Sequence, residues 1–439
     1  MKVSAVRDES WARFSCEIED GDTPVVTPGS LAAHDARVRL SSEVQVHPDL
    51  MALAAILVFA PWSRRFEFEF GVSAQFADTA RDAAGLDVGP VDPALAPRSR
   101  PADSVPGLCY SGGADCTAAL TVMPESTVSY FLDRISRPDE KWRGLYRKEA
   151  AHHACAQLTR AGRTVNMVET DLEFVRSPVG FPHDFSNAVP AVLSADRDAL
   201  GSIAWGAILE STYRVGSLRF RDYVKSPWFV GIGPLFEAVG LPVYNPVAGV
   251  SEVGTAIIAG RSEYGSYAQS CMRGFVGEPC RRCWKCARKI LLESALSGEW
   301  PDPQEINAMA VGADTPKLFL KEPLKHEGVV AFFARRYPTD GDSEFMRLLN
   351  ERVSGYSVEW LNHWYVPSMD NVPTDLREFS TARINEYLEP MSVDEMEDFR
   401  SWDMRPMLAT DRRKNATAAF SDYLNGLLLE AKGASLSAR

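Results

Sequence analysis

The stretch GLCYSGGADCTAAL, residues 107–120, governs how the rest of the chain is interpreted. It predicts a short apolar strand, a tight Ser-Gly-Gly turn and then a helix. Gly112 and Gly113 allow backbone torsions closed to other residues and let the main chain approach a ligand closely. A helix that begins directly after them points unpaired N–H groups and the positive end of its dipole at one spot. The stretch therefore predicts an anion site for a phosphate or pyrophosphate. The alternative is a plain strand-to-helix turn.

Part of this stretch resembles the SGGxDS motif of the PP-loop ATP pyrophosphatases, which cleave ATP between its α- and β-phosphates. The matching residues are Ser111, Gly112, Gly113, Ala114, Asp115 and Cys116. No G-K-[ST] follows the glycines and the spacing is not G-x-G-x-x-G, so neither a Walker P-loop nor a dinucleotide fingerprint fits. Cys116 stands where the family has Ser, and a thiol is a much weaker donor than a hydroxyl. Thr117 is the candidate that would replace this contact.

Length and charge bound the class of protein. A chain of 439 residues predicts two or three domains. The formal charge of -12 disfavours general binding to nucleic acid or to an anionic membrane. The first residues lack the basic start and apolar run of a signal peptide, and no apolar run approaches the roughly 20 residues that span a bilayer. We therefore expect a cytoplasmic protein with no membrane contact.

The distribution of strand and helix signals predicts an α/β fold with four segments. In the central one strands alternate with helices, which indicates a mainly parallel sheet covered on both faces, and ligands bind such sheets beyond the carboxyl ends of the strands. The predicted segments are an N-terminal α+β accessory domain (1–85), a Pro-rich linker (86–104), a PP-loop ATPase domain with a four-cysteine zinc loop (105–300) and a helical C-terminal region (301–439).

Hydrophobic periodicity predicts individual elements within these segments. The predicted strands are 65–71, 105–110, 127–132 and 163–169. The predicted helices are 49–59, 74–84, 140–160, an apolar helix over 198–212, and the tail helices 327–336, 343–353, 374–388 and 416–431.

Four of the eight cysteines crowd together in the spacing C-x8-C-x2-C-x2-C. These residues are Cys271, Cys280, Cys283 and Cys286. In a large chain expected in the cytosol, such crowding indicates metal rather than disulfides. Four thiolates can close a tetrahedron around a structural Zn²⁺. An iron-sulfur cluster and free buried thiols at a coincidental spacing are the alternatives.

An SGGxDS-like turn followed by this cysteine pattern resembles the 7-cyano-7-deazaguanine synthase family, in which the cysteines hold zinc close to the substrate pocket. Ser270, the four cysteines and Arg288 match, and the likeness covers roughly residues 105–292. The V-P-x-R-N element of that family is replaced by VPAVL at 189–193, so the Arg-Asn pair is missing. We therefore carry over the adenylation chemistry and not the product.

The resemblance implies an enzyme that uses ATP and Mg²⁺ to adenylate a small-molecule carboxylate or carbonyl of a heterocyclic or other substrate, releasing pyrophosphate and AMP. Ammonia or an amine would then form a C–N bond. Ser111 and Asp115 would be catalytic, residues 111–117 would hold the phosphates, and Asp133 and Arg134 would contact adenosine or substrate. A PP-loop sulfurtransferase and a non-catalytic PP-loop interaction subunit are the alternatives, and a homodimer is left open.

A few polar residues outside these motifs are weaker candidates. His152 and His153 suit acid–base work or ordinary packing. Residues 196–198 suit helix capping or substrate binding, and Lys225 suits a phosphate contact or plain solvation.

Overall fold

The computed structural model describes residues 1–8, 10–19, 29–40, 45–137, 147–214 and 217–437. The strands are β1 (Lys2–Asp8), β2 (Trp11–Glu17), β3 (Ser30–Leu31), β4 (Asp35–Arg39), β5 (Arg65–Val72), β6 (Asp87–Val91), β7 (Val105–Tyr110), β8 (Val128–Arg134), β9 (Thr164–Thr170), β10 (Arg176–Ser177), β11 (Leu200–Trp205) and β12 (Val243–Tyr244).

The helices of the first 300 residues are α1 (Pro48–Phe59), α2 (Ala74–Ala84), α3 (Ala114–Thr121), α4 (Glu149–Arg160), α5 (Val189–Leu193), α6 (Leu209–Thr212), α7 (Pro227–Ala238), α8 (Glu252–Arg261) and α9 (Trp284–Ser297). Those that follow are α10 (Pro303–Ala310), α11 (Thr315–Phe319), α12 (Glu327–Arg336), α13 (Glu344–Arg352), α14 (Thr374–Asn385), α15 (Val393–Arg400), α16 (Arg405–Leu408) and α17 (Asp411–Ser437).

Ten strands form one sheet in the order β12-β11-β7-β8-β9-β4-β2-β1-β5-β6. The five strands from β12 to β9 are parallel. Antiparallel pairs join β9 to β4, β4 to β2 and β2 to β1. The prediction of an α/β fold with a large, mainly parallel central sheet is therefore confirmed.

The five parallel strands are doubly wound. The chain enters at β7, moves outward through β8 and β9, and then returns to the other side of β7 for β11 and β12. In such sheets the crevice beyond the carboxyl ends of the two strands where the order reverses is the usual ligand site. Here that switch point lies between β7 and β11, and the Ser-Gly-Gly turn follows β7.

The predicted apolar helix over 198–212 is wrong. Residues 200–205 form β11 and only 209–212 are helical. All six residues of β11 are buried, and a strand covered on both faces of a parallel sheet is a continuous apolar run without alternation. Periodicity alone does not separate such a run from a buried helix.

Other predicted elements are confirmed within a few residues. β5 buries Phe66 and Phe68 and exposes Glu67 and Glu69, as alternation predicts. α2 begins at Ala74 and ends at Ala84 as expected, after the N-cap Ser73. α4 covers 149–160; the part of its predicted range over 138–146 lies outside the described residues.

The N-terminal segment shares its core with the central one. Residues 49–59 of α1 are all buried. α1 packs against α5, and the Ser186 hydroxyl donates a 2.7 Å hydrogen bond to the Leu57 carbonyl. The predicted linker is part of the folded structure. Residues 87–91 form β6, and Arg98 is buried in an ion pair with Asp196 at 2.7 Å. The division at 86–104 stays a prediction, although the sheet and the core continue across it.

The region after residue 300 is helical in the part that the structure describes, and many of its apolar side chains form a cluster with Trp284, Ala287, Leu291 and Leu292 of α9. Others, among them Trp364, Ile384 and Leu388, belong to the core that contains α3. The helical region therefore packs on the helix that follows the cysteine loop. No described helix is both long enough and apolar enough to cross a bilayer.

Candidate functional site

The Ser-Gly-Gly turn, residues 111–113, lies at the switch point of the parallel strands. Gly112 has a φ of +79°, which residues with a Cβ rarely adopt. Gly206, directly after β11, is also constrained, because a Cβ there would lie 2.9 Å from the Cα of Cys116. The first turn of α3 therefore packs directly on the end of β11.

Two residues that precede Cys271 hold this turn. The Gln269 N–H donates to the Gly112 carbonyl at 2.6 Å. The Ala114 N–H donates to the Ser270 hydroxyl at 3.2 Å. Ser270 thus satisfies one of the N–H groups that a helix N-terminus leaves unpaired, and the others of the first turn are the ones an anion would use.

Cys116 occupies the last position of the motif without exposing its thiol. It is 8% exposed, accepts a 3.1 Å hydrogen bond from the Ser111 hydroxyl, and its Sγ lies 3.6 Å from the Cys109 carbonyl oxygen. Thr117 is fully buried and its hydroxyl donates to the Gly113 carbonyl at 3.0 Å. Of these side chains only Ser111 is exposed, so Thr117 does not replace the missing hydroxyl at the ligand surface.

Asp115 connects the turn to two other helices. Its carboxylate accepts from the Thr255 hydroxyl of α8 at 3.0 Å and pairs with Lys289 of α9 at 3.1 Å. Burial disfavours the charged form of Lys289, but the charges of Asp115 and Glu252 outweigh it and raise the pKa of Lys289. The contacts give Asp115 a role in holding α3 in place; they do not test its predicted catalytic role.

Glu252 forms the centre of this buried charge cluster. It pairs with Arg288 at 2.8 Å and with Lys289 at 3.3 Å. Burial opposes its charge, but the neighbouring cations, Arg288 first, outweigh burial and lower the pKa of Glu252 to about 2. Both oxygens of Glu210 accept from the Glu252 N–H at 3.0–3.1 Å. Burial, reinforced by the charge of Glu252, raises the pKa of Glu210 to about 8.

Asp133 and Arg134, at the end of β8, point to different surroundings. Asp133 is buried and pairs with Lys148 at 2.6 Å and His152 at 3.1 Å. Arg134 is paired with Glu173 and lines the cavity described next. Of the two predicted ligand contacts, Arg134 is therefore the one that faces open space.

A cavity of about 900 Å³ opens beyond the carboxyl ends of the parallel strands. Residues at or after the ends of all five strands line it, among them Ser111, Arg134, Glu173, Trp205 and Asn245. Its volume is within the range of small-molecule sites. The switch point, Ser111 of the turn and this cavity therefore lie together.

The lining of this cavity combines aromatic rings with charges of both signs. Phe185, Trp205 and Phe229 form one wall, with the Phe185 and Trp205 rings 5.0 Å apart. Arg214, Arg221 and Lys225 add positive charge, balanced in part by Asp184 and Asp222. Such walls suit a planar ring with an anionic group.

The remaining candidates divide between this end of the sheet and the opposite one. Lys225 lines the cavity but is 81% exposed. Asp196 and Asp198 precede β11 and so lie at the amino end of the strands, where Asp198 accepts a 3.2 Å hydrogen bond from Asn166. These two carboxylates are therefore not part of the site. His153 contacts Gln157 at 3.3 Å on its own helix.

The four predicted metal ligands come together. The sulfur atoms of Cys271, Cys280, Cys283 and Cys286 all lie within 4.8 Å of one another, with Cys283 and Cys286 at 3.5 Å and Cys280 and Cys286 at 3.7 Å. Four sulfurs about 2.3 Å from one zinc ion are about 3.8 Å apart in a tetrahedron. The Cys280 N–H donates to the Cys271 sulfur at 3.4 Å, a contact common around thiolate ligands. The cluster can hold a metal such as zinc.

One thiol of the cluster is prepared for metal binding. The contact with the Cys286 thiol lowers the pKa of Cys283 to about 5, against the opposing effect of burial. Because a metal binds the thiolate form, a lowered pKa of Cys283 favours this residue as a ligand.

Sequence reasoning missed several residues that shape this site. Gly206 lies within the stretch that was predicted to be a helix, so its close approach to Cys116 had no local signal. Thr255 and Lys289 contact Asp115 across more than a hundred residues of chain, and Glu252 pairs with Lys289. Ser270 was marked only as part of the cysteine motif.

Fold and site together define a doubly wound α/β protein with a glycine turn at its switch point and a four-cysteine cluster that can hold a metal ion. A protein family of unknown function, DUF6395, matches residues 231–403. This range contains the four cysteines, Glu252 and Lys289 and excludes the Ser-Gly-Gly turn. Comparison with curated proteins and with solved structures gives no significant match.

Proposed function

We propose that the chain is an ATP-dependent enzyme that forms AMP and pyrophosphate while it activates a small-molecule carboxylate or carbonyl. One observation carries this proposal. Ser111 and Cys116, the first and last residues of the motif that resembles the PP-loop, line a cavity of about 900 Å³ at the switch point of five parallel strands. A glycine turn that leads into a helix at this place favours a phosphate-bearing ligand.

The residues around the turn have distinct tasks in this proposal. N–H groups of the first turn of α3 and the Ser111 hydroxyl would bind the β- and γ-phosphates, where negative charge develops on the leaving group. Arg134, at the cavity wall, would neutralise a phosphate or the substrate carboxylate. Mg²⁺ would reduce the repulsion between ATP and an anionic nucleophile. Positioning and charge neutralisation supply most of the catalysis of such transfers.

In this proposal the cavity would hold both reactants. It extends from Leu132 and Arg134 on one side of the turn to Tyr244 and Asn245 on the other. A nucleotide at the turn would leave the aromatic wall of Phe185 and Trp205 for a planar acid. Ammonia or an amine would then attack the activated carbon and displace AMP.

The sulfur-transfer alternative needs either a thiol outside the four-cysteine cluster that forms a persulfide, or an iron-sulfur cluster. Cys109, Cys116 and Cys155 are all buried, and burial raises the pKa of each of them. Thiols of this kind are poor nucleophiles. The structure therefore provides no specific observation that favours this alternative.

Metal analysis separates the two enzyme classes further. We expect one zinc and no iron per chain, with zinc lost in Cys283→Ser and retained in Cys155→Ser, which removes a buried thiol elsewhere. Iron together with acid-labile sulfide would contradict this expectation and would favour sulfur transfer.

Pyrophosphate release tests the proposed function directly. The purified chain is incubated with ATP, Mg²⁺ and a panel of aromatic and heterocyclic carboxylic acids, with and without ammonia. We expect acid-dependent formation of pyrophosphate and AMP, reduced at least about tenfold in Ser111→Ala, because removal of one charge-stabilising hydroxyl has effects of this size or larger. Ser262→Ala is the control, since that hydroxyl only contacts the Ala259 carbonyl of its own helix. ATP binding without turnover would instead support the non-catalytic subunit.

A further inference from the structure

We propose that a metal ion in the four-cysteine cluster holds the Ser-Gly-Gly turn in its ligand-binding conformation, with Ser270 and Lys289 as the positioning residues. Where it concerns nucleotide affinity, this inference rests on the proposed function. The coupling between metal and turn can be measured without any nucleotide.

The first link runs through the residues directly before the cluster. Gln269 and Ser270 are the two neighbours of Cys271 on its N-terminal side. The Gln269 N–H donates to the Gly112 carbonyl at 2.6 Å, and the Ser270 hydroxyl accepts from the Ala114 N–H at 3.2 Å, so the two hydrogen bonds fix the peptide groups on both sides of Gly113. A displacement of Cys271 therefore moves the groups that fix the backbone of the turn.

The second link runs through the helix directly after the cluster. Cys286 and Lys289 lie one helical turn apart on α9, so they share a face of that helix. Lys289 is 11% exposed and pairs with Asp115 in the first turn of α3. The pair is part of the buried cluster around Glu252, which also ties α8 to α9. The position of α9 therefore sets the position of the α3 N-terminus.

The two links bracket the loop, since they lie at its opposite ends, and the cluster is what joins those ends. Cys271 and Cys286 are separated by a turn-rich segment in which residues 275 and 278 pair with each other. A bound metal would fix the four sulfurs at the corners of a tetrahedron, so it would constrain both links at once. Without the metal, the segment from 269 to 283 is held by weaker polar contacts.

Hydrogen exchange on the full-length chain tests this coupling. The metal-loaded protein is compared with protein treated with phenanthroline and dialysed. We expect the amides of residues 112–117 to exchange about tenfold faster after metal removal, as for the loss of roughly one hydrogen bond of local stability. The amides of β8 are expected to keep their rates. Unchanged exchange at 112–117 would overturn the proposal.

Metal removal could increase exchange throughout the chain, so single-residue variants that keep the metal provide a second test of the coupling. Ser270→Ala and Lys289→Met are expected to speed exchange at 112–117 while metal content stays unchanged, and Lys289→Arg to restore the slow rate. Arg273→Gln is the matched control, because Arg273 lies in the same loop and forms its ion pair with Asp314 on the surface, at 3.0 Å. Equal exchange in the two test variants and the control would refute the coupling.

Titration with ATP separates this inference from the proposed function. We expect about tenfold weaker binding in Ser270→Ala than in Arg273→Gln, as the same loss of one hydrogen bond implies. Absence of ATP binding in the metal-loaded wild type would refute the proposed function. The exchange measurements would still decide the coupling on their own.

Discussion

Gly112 and Gly206 restrict the Ser-Gly-Gly turn from two sides. Gly112 needs its positive φ to turn the chain from β7 into α3, and Gly206 leaves no room between β11 and Cys116. Because the backbone of the turn is the proposed ligand surface, small changes here act on affinity directly. Substitutions at Gly112 therefore test the site at the scale of one residue.

We expect Gly112→Ala to weaken ATP binding by at least about tenfold. A residue with a Cβ in the left-handed region is strained by about 1–2 kcal/mol, and the backbone of the turn would shift to relieve that strain. Isothermal titration with ATP measures the effect. Gly260→Ala is the matched control, since a Cβ at Gly260 meets no atom within 4 Å. Equal affinity in both variants would show that the turn does not bind the nucleotide.

Glu210 introduces a pH dependence of stability. Its pKa rises from 4.5 to about 8 in the folded chain, first through burial and then through the charge of Glu252. The folded state therefore holds this proton more tightly than the unfolded chain does. The resulting stabilisation is fully present below pH 4.5 and is lost as the pH rises through about 8.

As the pH rises through this range, we expect the free energy of unfolding to decrease less steeply in Glu210→Gln than in the wild type. The contribution that disappears is on the order of 1 kcal/mol per pH unit. Urea unfolding at several pH values measures it, with Glu397→Gln as an exposed control. The same slope in Glu210→Gln and the control would mean that Glu210 is ionised in the folded chain.

At the scale of elements, α9 and α17 are the two helices that join parts of the molecule. α9 follows the cysteine loop, contacts Asp115 through Lys289 and carries the apolar cluster of the helical region. α17 is fixed by Arg413, which is 4% exposed and pairs with Glu322 at 2.6 Å and Glu327 at 2.9 Å. Arg413 therefore ties the last helix to the first part of the same helical region.

We expect Arg413→Ala to lower the free energy of unfolding by about 3–5 kcal/mol, because it leaves the buried Glu327 without its cation. Lys414→Ala, on the next residue of α17, removes an exposed pair with Asp411 at 3.4 Å and should cost less than about 1 kcal/mol. Denaturant unfolding monitored by tryptophan fluorescence compares the two. A small effect of both would indicate that α17 docks without this ion pair.

At the scale of the whole molecule, one sheet and one core connect the first two segments. β4 pairs with β9 through Val38 and Thr170, and the core that surrounds α1 includes residues from both segments. Removal of the N-terminal segment would uncover α5 and free the edge of β9. Exposed strand edges of this kind favour aggregation.

We therefore expect a fragment of residues 105–439 to be insoluble or aggregated under conditions in which the full chain is monodisperse. Size-exclusion chromatography of both proteins tests this expectation. A monodisperse fragment with native circular dichroism would show that the N-terminal segment is an independent domain, as the sequence predicts.

The sequence determined those features that have a local signature. Alternation in residues 65–71, the Ser cap and apolar period of α2, the doubled glycine and the cysteine spacing each depend on neighbours within a few residues. They were predicted correctly because the physical cause lies in the same stretch as the signal. The α/β class follows from their order.

Only the tertiary structure decided the identity of β11, the partners of Asp115 and the position of the cysteine loop against the Ser-Gly-Gly turn. A fully buried apolar run shows no periodicity. Residues 200–205 are therefore a strand because of their place in the sheet between β7 and β12, and not because of a pattern within residues 198–212. Asp115 and Lys289 are 174 residues apart in sequence, and no local pattern records which charges a fold brings together. Contacts between residues far apart in sequence therefore determine the geometry of the site, whereas the local sequence indicates only some of its residues.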